Sequence, residues 1–176
     1  MNIGTGPRAV RRIVTGHSAD GSSQVLIDNA AANIRSGATP SHHSTLMWCS
    51  DAMPVSIPIG IAIEDMGARS LGTYPPVNGT RFMIAEFPPG FSSAMHRTET
   101  IDYIVVLDGE INLGLDRGDI ITIKRGDVVI QRGTNHRWVN NSKDVCRLVF
   151  VFADAEPLGI GDPVPRGGIA SHHKTG

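Results

Sequence analysis

The stretch GFSSAMHRTETIDYIVVLDGE, residues 90–110, carries one of the chain's seven histidines, a carboxylate six residues further on, an apolar run and a closing Asp108-Gly109. Side chains alternate across an extended strand, so if residues 96–106 run nearly straight, His96, Thr98, Asp102, Ile104 and Val106 share one face. Ile104 and Val106 make that face the buried one. Asp102 then looks inward at the end of an apolar wall, where a carboxylate without a cation or several donors is costly. Asp108-Gly109 reads as a two-residue hairpin turn into EINLGL.

The same texture extends in both directions. From Thr80, TRFMIAEF stops at Pro88-Pro89-Gly90; beyond residue 110, DRGD, RGD, RGT and NNSKD separate IITIK, VVIQ, NHRWVN and VCRLVFVFA. That makes at least seven short strands between residues 80 and 154 with no helical period among them. Twenty glycines and eleven prolines against 5% aromatics agree with short elements and many turns. The class expected is all-β: an antiparallel sandwich or barrel, whose mouth is a usual place for a small-molecule site. Before Thr80 the pattern is looser. Strands are expected at 11–16, 23–28 and 44–50, joined by Pro- and Gly-rich connections or a short helix. Residues 1–79 are therefore expected to pack on the barrel or cover it as a lid, residues 80–156 to form the barrel, and residues 157–176 to be a flexible tail, in a single structural domain.

A formal net charge of −1, with no basic run longer than Arg11-Arg12, argues against nucleic acid or a charged membrane surface as a partner. No apolar run approaches the ~20 residues that cross a bilayer, and the N-terminus has no apolar leader pattern, so a cytoplasmic protein is expected. Cys49 and Cys146 sit inside apolar runs, not at ligand spacing, as small core residues.

In QRGTNHRWVN, alternation puts His136, Trp138 and Asn140 on one face, with Trp138 demanding burial. Two inward histidines and one inward carboxylate are the content of a 2-His-1-carboxylate site, which suits Fe(II) and tolerates Mn, Ni, Co or Zn. The spacing resembles the two motifs of the cupin superfamily. The first is G-x5-H-x-H-x3–4-E-x6-G, and here Gly90, His96, Thr98, Asp102 and Gly109 fall at its anchors. The second runs from a glycine through a tight turn to His-x-x-x-Asn, and here Gly126, Gln131-Arg132-Gly133, His136 and Asn140 follow it. The resemblance covers about residues 80–153 and implies a jelly-roll barrel, here with an irregular N-terminal extension. Thr98 stands in place of the family's second histidine and Asp102 in place of its glutamate. The expected metal set is thus three ligands, His96, Asp102 and His136, with a divalent metal and no organic cofactor.

Thr98, Arg132 and Trp138 are assigned to substrate, Arg132 alternatively to a pairing with Asp102. Tyr103 has outward parity, Asn140 serves a turn, and Arg81 and Arg147 are expected outside. His42-His43 and His172-His173 are expected in solvent. Two functions stay open. One is a metal-dependent oxygenase, decarboxylase or isomerase acting on a small oxygenated organic molecule. The other is a metal-free cupin, acting by acid–base catalysis through His136 and Asp102 or binding its ligand without turnover. A homodimer is expected, as cupins often pair strands across a two-fold axis.

Overall fold

The computed structural model describes residues 6–166; His172-His173 and the end of the expected tail lie outside the described residues. Eleven strands run in order: β1 (Arg11–His17), β2 (Ser23–Ala30), β3 (Ile34–Ser36), β4 (His43–Ser50), β5 (Thr80–Phe87), β6 (Thr100–Asp108), β7 (Glu110–Leu115), β8 (Ile120–Lys124), β9 (Val128–Arg132), β10 (His136–Val139) and β11 (Cys146–Asp154). The connection from Ser50 to Thr80 is irregular apart from one 3-10 turn at Met66–Ala68.

A six-stranded sheet in the order β3-β4-β5-β11-β6-β9 faces a three-stranded sheet in the order β10-β7-β8, and every pairing is antiparallel. Between them lies an apolar core that includes Ile104, Val106, Ile111, Leu148, Phe150 and Trp138. β1 and β2 form a separate two-stranded sheet, tied down where the buried Arg12 guanidinium meets Asp65 at 2.7 Å. β4 hydrogen-bonds to β5, so part of the N-terminal segment continues the larger sheet. Both cysteines are buried free thiols. Tyr103 lies outside, on an exposed face with Val105, Val128 and Ile130. Among the described residues, no helix is long and apolar enough to cross a membrane.

Two local expectations change. Asp108-Gly109 is not a hairpin turn, because β6 belongs to the large sheet and β7 to the small one. It is the corner where the chain steps between sheets. Gly109 adopts φ 74°, its amide accepted by the Asp108 side chain at 3.1 Å. Residues 96–106 do not run straight either. His96 pairs backbone to backbone with His136 on the small sheet, whereas Thr100–Asp108 is a strand of the large one. The alternation argument joins two segments that belong to different sheets.

A Cβ at Gly109 would lie 2.8 Å from the Val145 carbonyl oxygen and 3.0 Å from Cys146 Cα, whereas at Gly118, also at positive φ, it would meet nothing within 4 Å. Gly109→Ala is therefore expected to cost about 2–3 kcal/mol in urea unfolding, against about 1 kcal/mol for Gly118→Ala, where only backbone strain is added.

Candidate functional site

The register of the large sheet sets one row across four strands. Arg81 on β5 stands opposite Phe152 on β11, Phe152 opposite Asp102 on β6, and Asp102 opposite Gln131 on β9. All four side chains are buried. The small sheet answers with His136 and Trp138 on β10, and His96 arrives beside β10 through its bridge to His136. All of these but Gln131 line a cavity of about 120 Å³, as do Arg35, His42 and Thr98. The structure thus gathers His96, Thr98, Asp102, His136 and Trp138 around one space.

Asp102 is held by neutral dipoles. Thr100 donates its hydroxyl to the carboxylate at 2.6 Å, Thr98 lies 2.7 Å behind Thr100, and the Gln131 amide nitrogen stands 3.4 Å from the second oxygen. Burial pushes the Asp102 carboxyl up to about 7, against the opposing pull of the Thr100 hydroxyl. His136 is buried too and moves the other way, to about 3, because burial and the neighbouring His96 both disfavour its charged form. The two rings lie 4.3 Å apart between centroids. Each Nδ1 sits 2.9 Å from a backbone carbonyl, Ala94 for His96 and Thr134 for His136.

The donor set does not fit the expected metal. No group of three His, Cys, Asp or Glu side chains among the described residues is placed to hold an ion. Gln131 is the physical reason: its amide nitrogen lies 2.7 and 3.1 Å from the ring nitrogens of His136, between that ring and the carboxylate. His96, Asp102 and His136 share the cavity without forming a three-ligand set.

Three other expectations are corrected. Arg132 follows Gln131 on β9 and takes the opposite parity, so it is exposed and lines surface hollows beside Leu158, away from the barrel cavity and from Asp102. Arg81 is inside, because it shares parity with Met83, Ala85 and Phe87 on β5, all of which line the cavity. His42 does not sit in open solvent. The turn before β4, with Ser41 at φ 63°, directs its ring against Phe91 and Phe87 at 4.5 and 5.2 Å. Arg147 is outward, paired with Glu86 at 3.1 Å. Asn140 is fully buried and closes its turn, donating to the carbonyls of Phe87 and Asp144. Gln131 had a readable signal: it shares the parity of the half-buried Val129, whereas Val128 and Ile130 are exposed.

Two antiparallel sheets closed into a barrel with polar groups gathered inside are the jelly-roll arrangement of a cupin. Residues 83–152 match the cupin domain family. Over 160 residues the chain is 39% identical to phomopsin biosynthesis cluster protein C' of Diaporthe leptostromiformis, covering 87% of this chain and 82% of that one. It is 31% identical over 159 residues to the cupin-domain-containing oxidoreductase srdD of Neurospora crassa, covering 87% and 79%. Among solved structures, the polyketide cyclase RemF of Streptomyces resistomycificus shares 29% identity over 42% of this chain and 54% of that one, with a TM-score of 0.40. The chain belongs to the cupin superfamily.

The raised carboxyl has a signed consequence. Asp102 binds its proton more tightly folded than unfolded, so its contribution to stability is full below pH about 4 and is lost as pH rises through about 7. Asp102→Asn is expected to remove that dependence. Its melting temperature, measured by circular dichroism from pH 5 to 8.5, should gain on the wild type as pH rises.

Proposed function

We propose that this cupin moves a proton on a small organic molecule held in the barrel, by acid–base chemistry that needs no metal. The observation that carries this reading is Asp102, a buried carboxyl brought to about 7 and fixed by Thr100 and Gln131. A group with that affinity is present in both forms at neutral pH, so it takes a proton from carbon and returns one to oxygen or carbon with little loss in either direction. His96, whose Nδ1 is held by the Ala94 carbonyl, brings a second imidazole to the cavity wall. His136 is a positioning residue: kept neutral by burial, it fixes the Gln131 amide that in turn meets Asp102. Thr98 and Trp138 complete the wall on either side. Isomerisation, cyclisation and decarboxylation all use such a proton transfer.

Relatives named for the phomopsin and oryzines biosynthesis clusters support a biosynthetic intermediate as the substrate. Other relatives, 28–31% identical, are named cupin-domain-containing oxidoreductases. That name keeps the metal-dependent reading as the one to be tested against.

The test is solvent exchange. Chelator-treated protein is incubated in D2O with a panel of small aryl ketones and keto acids, and loss of the α-proton is followed by NMR. Exchange is expected to survive chelation, to rise with pH through about 7 as Asp102 ionises, and to fall at least a hundredfold in Asp102→Asn. Exchange absent throughout, unchanged in Asp102→Asn, or present only after Fe(II), Mn(II) or Zn(II) is restored would overturn the reading.

A further inference from the structure

Arg81 is 6% exposed and makes no ion pair among the described residues. Its Nη1 donates to the carbonyls of Gly72 and Thr73 at 2.6 and 2.7 Å, while its Nε is buried without a partner. A second guanidinium, Arg35, lines the same cavity and is steadied by the Leu71 carbonyl at 3.2 Å. Residues 71–73 therefore act as a strap whose carbonyls aim two cations at one end of the barrel. Burial, with Arg35 beside it, draws the Arg81 guanidinium down to about 10. A buried cation without a counter-charge is costly, and carbonyl dipoles orient a guanidinium without neutralising it. The Nε–Nη2 edge of a guanidinium is the planar fork that donates side-on to the two oxygens of a carboxylate, and Nε here still lacks an acceptor.

From Arg81, Arg35 and the row they begin, we infer that the molecule taken by this cavity is a small organic carboxylate, its carboxylate on Arg81 and Arg35 and its body over Phe152 toward Asp102. This rests on the proton-transfer reading of the same site for what happens at the far end. The spacing agrees. Arg81 and Asp102 stand two strands apart in one row, which separates their backbones by about 10 Å. Between them Phe152, stacked on Phe150 at 5.5 Å with the rings 4° from parallel, offers a flat apolar floor. A cavity of about 120 Å³ has room for on the order of ten heavy atoms. An aryl or unsaturated monocarboxylate has that size and brings the end remote from its charge beside Asp102.

The probe is phenylacetate against phenylacetamide, which matches it in size and shape and lacks the charge, both titrated calorimetrically at pH 7.5. Phenylacetate is expected to bind at least tenfold more tightly than the amide. Arg81→Met is expected to abolish that preference and Arg81→Lys to restore only part of it, since an ammonium keeps the charge and loses the fork. Arg81 also holds the strap, so Arg35→Gln, at a half-buried position, provides a variant that leaves the fold in place by circular dichroism; it is expected to reduce the preference several-fold. Equal binding of the two probes, binding of neither at millimolar concentration, or a preference unchanged in both Arg81→Met and Arg35→Gln overturns the assignment. Asp102→Asn separates this from the function it rests on: that variant is expected to bind phenylacetate at least as tightly as the wild type. Wild-type protein that prefers the anion but exchanges no proton refutes the chemistry alone. Wild-type protein that exchanges protons but binds the two probes equally refutes the anchor alone.

Discussion

The site depends on the seating of β11 between β5 and β6. Cys146, Leu148, Phe150 and Phe152 all point into the barrel, and the residues between them do not. That alternation leaves a single acceptable register, since a slip by one residue would exchange four core side chains for Arg147, Val149, Val151 and Ala153. Fixing β11 fixes both neighbours. It is through Phe152 that Arg81 on one side and Asp102 on the other fall into a common row, although the two come from strands that never touch.

Much of this was legible in the residues. The all-β class followed from short apolar runs broken by glycine, and the strand spans after Thr80 agree with the seven observed there. The convergence of His96, Thr98, Asp102, His136 and Trp138 was legible through motif spacing more than through strand parity. His96 and Asp102 lie on opposite sheets, so the parity that appeared to join them was accidental. Spacing survives such a break in the strand because it counts residues between corners. Parity does not.

Arg81 obeys the alternation of its own strand, but a polar residue in a β-run is ordinarily assigned to solvent, and that habit overrode the pattern; Gln131 was read only as part of the second motif's turn. The inward side was marked in both cases, by Ala85 and Phe87 for Arg81 and by Val129 for Gln131. Gln131 also stands between two of the expected metal ligands, and no feature of the two motifs announces it. It becomes visible only when β9 is placed beside β6 and its amide falls between His136 and Asp102. His42 was beyond local reasoning, because its position depends on a turn that packs its ring against Phe91, nearly fifty residues away.

Arg81 and Asp102 are opposite charges buried in one cavity, yet the fold keeps them from neutralising each other. Each is held by neutral dipoles, backbone carbonyls for the cation and a hydroxyl and an amide for the carboxyl, and Phe152 stands between them. Direct contact would satisfy both and stabilise the empty barrel, but an adjacent guanidinium drives a carboxyl down into its ordinary range or below. Asp102 would then be permanently ionised at neutral pH and unfit for the proposed proton transfer. The separation therefore has a chemical consequence: one end of the cavity keeps a fixed positive charge, the other a group that changes charge near neutrality. The cost is two polar groups desolvated without a mutual partner, a sacrifice of stability of the kind expected where the cavity is built for a ligand rather than for packing.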